Sequence, residues 1–252
     1  MNSLAIRDSS RNLKVRTIAS HGTSGANTTH QVKVTADAMI LEDFRGTPLR
    51  AFRIDATVDI ENSGINGLDT GTKSPATWYH IWVISNGRDG AQGLFSRSDS
   101  TPAMPPRFSF MAYVGAIYNT TDNRLISYIQ NGQLAWAEKT YPLIDVIPPA
   151  APVRVNLSAS VPSTAASVIL ETSGATTIGG HFISNYSLGP TQNGPWFNSW
   201  MMVAGTPVGA GSVDHLQSIR QCEVILDSAQ QIYASVNAAD DRLEVHVLGW
   251  RY

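Results

Sequence analysis

Cysteine and charge are both scarce in this chain. Its 252 residues include one cysteine, Cys222, and only 15% of the residues are charged. A single thiol excludes an intrachain disulfide framework and any zinc site that needs two thiolates. With 42% hydrophobic residues, the chain is long enough to bury one large core or two ordinary ones.

A surplus of positive charge is missing as well. The 18 Lys and Arg residues against 20 Asp and Glu residues give a formal net charge of −2. Because no basic block is present either, we expect no nucleic-acid partner. The first twenty residues intersperse charges among the apolar positions, so we expect no secretory signal and no membrane span. These features predict a soluble protein that is made in a cytoplasm.

Short runs of β-branched and aromatic residues recur between Gly, Pro, Asn and Asp, a pattern that predicts strands. The run TWYHIWVISNG at 77–87 carries apolar side chains on both alternating faces, so we expect a second sheet or a neighbouring subunit to cover one face. Asn131-Gly132 predicts a tight hairpin turn. The best helix candidate, Ser212 to Gln221, is only about three turns long. The predicted fold class is therefore all-β with little helix.

A change of composition divides the chain. Four prolines fall within residues 142–152, too many for a ladder that needs each backbone N–H group. About seven further strand patterns follow, enough for a second antiparallel sandwich. We predict two jelly-roll-like β-sandwich modules in series behind an N-terminal attachment arm, with the arm at 1–30 and the modules at 31–147 and 148–252.

Several local patterns resemble catalytic motifs only superficially. LDTG at 68–71 matches the aspartic-protease motif, but those enzymes need two such carboxylates and this chain has one copy. We interpret Asp69 as a turn residue beside left-handed glycines. GAGSVD at 209–214 has Asp214 where a phosphate-binding loop needs its third glycine. No two of the six histidines have the spacing of a local metal-ligand pair. We therefore predict no enzyme, no cofactor and no metal site.

One aromatic segment is a candidate contact surface. GPWFNSWMM at 194–202 places Trp196, Phe197 and Trp200 after a Gly-Pro pair. Flat rings in such a loop can stack on a sugar or fill a partner's pocket. The alternative is that these rings close one end of a sandwich core.

Five segments carry a resemblance to a known family. They occur in this order: NLKVRTIAS, QVKVTADAMILED, GLDTGTKSPATWYHIWVISNG, FMAYVGAIYN and YIQNGQLAW. In order and rough spacing they resemble a module of tail-fibre and other virion proteins of tailed bacteriophages and their prophage relatives. The resemblance covers about residues 12 to 140.

This resemblance implies a non-enzymatic structural protein of the virion: a tail fibre, spike or adaptor-like appendage. The implied partners are capsid or tail proteins, further copies of the chain, with a homotrimer as the first expectation, and a host-surface glycan or protein. We expect the first half to attach to the particle and the second half to face outward. Two alternatives remain open: a capsid decoration or head-fibre protein, and a freestanding carbohydrate- or protein-binding β-sandwich.

Overall fold

Strands are the regular elements of this protein, and the all-β prediction is confirmed. The Cα positions group into two compact units, residues 1–138 together with Tyr252, and residues 139–251. The computed structural model describes residues 12–21, 27–137, 152–176, 182–195, 197–203, 220–227, 230–236 and 241–252.

Eight strands are described in the first unit. They hydrogen-bond in the order β8-β7-β1-β2-β6-β4-β5, and β3 pairs with the other edge of β2. The pairings between these strands are antiparallel. The bounds are β1 Lys14–His21, β2 Asn27–Glu42, β3 Pro48–Asp59, β4 Thr77–Ser85, β5 Gln92–Ser96, β6 Phe110–Asn119, β7 Tyr128–Asn131 and β8 Leu134–Ala137.

Alternation along β2 and β3 builds one wall of the core. Val32 and Val34 on β2 and Ala56 and Val58 on β3 are buried, while their chain neighbours are exposed or half-buried. Burying each such valine contributes roughly 1.5–3 kcal/mol. The facing layer approaches closely, because a Cβ added at Gly93 of β5 would lie 2.1 Å from Cγ2 of Val58. Two layers of strands therefore pack face to face, as in a β-sandwich.

Strand β4 is buried on both faces, as its sequence predicts. Val83 pairs with Gly93, so its face is directed to β3 and the core. On the opposite face, the indole N–H of Trp82 donates to the carbonyl of Ser98 at 3.3 Å. The chain following β5 thus contributes to the cover of this face, and the neighbouring subunit that the sequence led us to consider stays a prediction.

The tight turn predicted at Asn131-Gly132 is present. Asn131 pairs with Leu134 and Gly132 adopts a φ of 59°, a left-handed conformation that glycine tolerates well. The two central residues of the turn are therefore Gly132 and Gln133.

The predicted N-terminal arm, 1–30, differs in part from the structure. Residues Lys14–His21 form β1, which pairs with both β2 and β7 inside the sheet. The side chains of Leu13 and Val15 are fully buried, and this burial fixes the segment in the core. Residues 1–11 and 22–26 lie outside the described residues.

In the described part of the second unit the strands form two groups, in the orders β13-β10-β15 and β12-β11-β14-β9. A hydrogen bond of 2.7 Å joins the buried hydroxyls of Thr172 on β10 and Tyr186 on β11. Of the helix candidate, Arg220 and Gln221 belong to a strand and residues 212–219 lie outside the described residues. The bounds are β9 Val153–Asn156, β10 Ser167–Thr176, β11 Phe182–Gly189, β12 Phe197–Val203, β13 Arg220–Ile225, β14 Gln231–Val236 and β15 Asp241–Arg251.

Candidate functional site

The aromatic segment that the sequence singled out is described only in its backbone. Phe197 and Trp200 lie on β12 and pair with Leu188 and Asn185 of β11. Trp196 lies outside the described residues. The contact role of these three residues therefore stays a prediction.

Asp69 of the LDTG segment is held by backbone amides. Its Oδ1 accepts a hydrogen bond of 2.7 Å from the N–H of Thr70, and its Oδ2 accepts one of 2.9 Å from the N–H of Ala103. Its own N–H donates to the carbonyl of Phe95 on β5 at 2.8 Å. Asp69 thus ties two loops to the edge of β5, the turn role that the sequence suggested.

His80 on β4 is a buried polar side chain with 4% exposure. Its Nδ1 lies 3.1 Å from the hydroxyl of Tyr113, and the ring of Tyr113 also meets the ring of Trp82 edge to face. Burial lowers the pKa of His80 to about 4, opposed by the charge of Asp99. A neutral, enclosed imidazole of this kind contributes to the core and is remote from solvent.

A second buried polar cluster lies between β6 and β7. The Nε2 group of Gln130 donates to the carbonyls of Val114 and Gly132, each at 2.8 Å, and the hydroxyl of Tyr128 donates to Oε1 of Gln130. Tyr252 lies 3.3 Å from the Tyr128 hydroxyl. Burial raises the pKa of Tyr128 well above its ordinary value, so the phenol is a permanent hydrogen-bond donor.

The solvent-exposed side of β1, β2 and β3 carries an open groove of about 570 Å³. Its first row follows the strand register, since Thr35 of β2 pairs with both Lys14 and Asp55. Its second row is joined by a 2.6 Å hydrogen bond from Nδ2 of Asn12 to Oδ2 of Asp37. We call this the hairpin groove; six polar residues line it in two rows, Lys14, Thr35 and Asp55, then Asn12, Asp37 and Arg53.

Two left-handed residues shape the hairpin groove. Arg53 has a φ of 51° in the interior of a strand, and Asn12 has a φ of 55°. A non-glycine residue in this conformation within a strand is uncommon and costs about 1–3 kcal/mol. At Arg53 the alternation of buried and exposed side chains along β3 shifts by one residue, and Phe52 is therefore 60% exposed. The guanidinium of Arg50 lies 4.8 Å from the centre of the Phe52 ring.

Sequence reasoning missed the hairpin groove. The signal was present as a polar stripe at Lys33, Thr35 and Asp37 and a second at Asp55 and Thr57. Pairing the stripes needs the register of the β2–β3 hairpin, and the left-handed Arg53 has no sequence signature, because arginine rarely adopts that conformation.

Metal and thiol chemistry have no arranged site in the described ranges. Among those residues no group of three or more His, Cys, Asp or Glu side chains could hold a metal ion. Cys222 is buried, and its burial raises the pKa of the thiol to about 11. In the same ranges no helix is long and apolar enough to cross a membrane.

Comparisons with known proteins return weak likenesses. No protein-family model matches the chain, and no curated protein sequence matches it. Among solved structures, a Bacillus thuringiensis Cry1Da tryptic core variant has a TM-score of 0.27 at 9% identity, over 98% of this chain and 53% of that one. The Bacillus thuringiensis insecticidal delta-endotoxin Cry8Ea1 has a TM-score of 0.25 at 8% identity, over 99% and 54%. The chain spans about half the length of these structures, and scores this low do not establish a common fold.

Proposed function

We propose that this protein is a structural component of a tailed-bacteriophage virion, a fibre, spike or adaptor-like appendage that contacts the host surface. The observation that supports this most is where the phage-like segments lie in the first unit. They contribute β1, β2, β4, β6 and the β7–β8 hairpin, together with the loop that contains Asp69. The resemblance therefore involves the framework of one sandwich and not scattered surface positions.

Assembly into an oligomer is part of the proposal. Ile129 and Trp136 are cross-strand neighbours on the β7–β8 hairpin, and they are 63% and 40% exposed. Two adjacent large apolar side chains in water are typical of a contact surface. A closed ring about a symmetry axis would bury them in each copy, and a trimer is our first expectation.

Particle incorporation is the direct test of this function. Phage particles from a host that carries the gene are banded by density gradient and probed with an antibody against the chain, with immunogold labelling to locate it. We expect the chain in the particle band and gold at the tail. Gold at the head would mean that the chain is a capsid decoration protein and not a tail appendage. Absence of the chain from washed particles would contradict the virion function.

The oligomeric state is tested separately with the purified chain. Light scattering should give three times the 27.2 kDa chain mass. Replacing Ile129 and Trp136 by serine should shift the mass toward one chain without loss of folded signal. A monomeric mass for the unaltered chain would contradict the oligomer.

A further inference from the structure

We infer that the hairpin groove binds a carboxylated saccharide, such as the acidic sugars of bacterial surface polysaccharides. This inference rests on the proposed function for its biological setting, and it assigns the host contact to the first unit, in place of the outward-facing role that we expected for the second half. Three observations on the groove carry it: its surplus of positive charge, its hydrogen-bonding array and its strained backbone.

Two cationic side chains line the hairpin groove. The side chains of Lys14 and Arg53 have no hydrogen-bond or ion-pair partner among the described residues, although both line the groove. Asp55 is paired with Nζ of Lys33 at 2.8 Å, whereas Asp37 accepts a hydrogen bond from the neutral amide of Asn12 and keeps its negative charge. Among the described residues, Lys14, Arg53 and Lys33 accompany Asp37 and Asp55, which leaves a surplus of one positive charge for an anion. Guanidinium and ammonium groups form their strongest hydrogen bonds with anionic oxygens.

The remaining groups select a sugar acid over other anions. Hydroxyls of a saccharide can donate to Asp37 and Asp55 and exchange hydrogen bonds with Asn12 and Thr35. A surplus of one positive charge matches a single carboxylate, whereas a phosphate group carries more negative charge than this surplus balances. Strands lie about 4.8 Å apart, so each row of three side chains spans about 10 Å, which suits a disaccharide lying across the sheet.

Backbone strain marks the same place. Arg53, whose left-handed conformation is unfavourable for an arginine, lines the groove beside Asn12, a residue type that tolerates this conformation. Such strain persists only where the surrounding structure enforces it, and it is found preferentially at ligand-binding sites.

The test uses the full chain and a defined probe, a tetrasaccharide of alternating glucuronic acid and N-acetylglucosamine. Chitotetraose, which has the same length and no carboxylate, is the neutral control. Titration calorimetry and amide chemical shifts measure binding. We expect saturable binding of the acidic probe with shifts at Thr35, Asp37 and Asp55, and at least about tenfold weaker binding of chitotetraose.

Variants localise the effect. Lys14→Gln and Arg53→Asn should each weaken binding by about tenfold, the value of one charge-assisted hydrogen bond. Asparagine tolerates the left-handed conformation, so Arg53→Asn keeps the fold. Arg107→Asn is the matched control, because Arg107 is also an exposed, left-handed arginine, with φ 74°, but lies outside the groove. It should bind the probe as the unaltered chain does.

Three results would overturn the inference: no saturable binding of the acidic probe, equal binding of both probes, or unchanged binding in both groove variants. Each leaves the proposed function to its own test, since particle incorporation is measured without a saccharide. Conversely, a chain that binds the acidic probe but is absent from particles would support the saccharide site and contradict the virion function.

Discussion

The hydroxyl of Tyr252 occupies the place of a neighbouring strand beside Ala116. It accepts a hydrogen bond of 2.7 Å from the N–H of Ala116 and donates one of 3.2 Å to the carbonyl of the same residue. On this edge β2 pairs with β6 only at Glu42 and Met111, so a ladder does not reach Ala116. A phenol from 136 residues away therefore satisfies backbone groups that would be costly to leave unpaired.

Removing that hydroxyl should destabilise the first unit. Tyr252→Phe leaves the buried N–H and C=O of Ala116 unsatisfied, and we expect the free energy of unfolding to fall by about 1–3 kcal/mol. Urea denaturation measures the loss, and the amide of Ala116 should exchange with solvent faster. Tyr118→Phe on the same strand is the control: Tyr118 is half-buried and its ring meets that of Trp78. A similar loss in both variants would contradict the special role of Tyr252.

Close approach of the two layers predicts a second effect. An alanine at Gly93 would place its Cβ 2.1 Å from Cγ2 of Val58, so one layer must move. Overpacking of this kind costs about 1–3 kcal/mol, which thermal or urea unfolding will detect. Gly90→Ala, with no atom within 4 Å of the added Cβ, should leave stability nearly unchanged.

A double variant distinguishes overpacking from a general intolerance of side chains at this position. Val58→Ala removes the methyl groups that clash, at the cost of a small cavity. If the steric explanation holds, Gly93→Ala with Val58→Ala should be more stable than the sum of the single losses implies. Additive losses would contradict direct contact between the two sites.

Features of the fold that depend on neighbouring residues could be predicted from the sequence, whereas contacts between distant segments could not. The strands β4 and β6 and the turn at Gly132 follow from alternation and turn chemistry, which act over a few residues. The cover over Trp82 and the phenol on Ala116 join segments 16 and 136 residues apart, and no local pattern encodes such pairs. The hairpin groove needs both a register and a strained residue, so its six side chains could not be grouped from the sequence alone.

Asp69 offers a test of the loop that contains the LDTG segment. Asp69→Ala removes the acceptors for the N–H groups of Thr70 and Ala103, and we expect a loss of about 1–2 kcal/mol in the free energy of unfolding. Asp69→Asn keeps one acceptor oxygen and should lose less. An unchanged stability in Asp69→Ala would show that the two loops are held by other contacts.

The acid sensitivity of the fold should depend on His80. The pKa of His80 is about 4 in the folded chain, against the ordinary histidine value of 6.5 expected in the unfolded chain. Protonation therefore favours the unfolded state. The stability that comes from keeping His80 neutral is present in full above pH 6.5. It is lost as the pH falls from 6.5 to 4, and it changes little below pH 4. A pKa difference of this size between the two states corresponds to about 3 kcal/mol in the free energy of unfolding.

His80→Gln isolates this contribution, since glutamine can still bond the hydroxyl of Tyr113 but does not titrate. Urea unfolding of both proteins between pH 7 and pH 4 gives two stability curves, and other groups titrate equally in each. We expect the unaltered chain to lose more stability than the variant over this range, with most of the difference between pH 6 and pH 4.5. Parallel curves would contradict the lowered pKa of His80 and, with it, the burial of its neutral ring beside Tyr113.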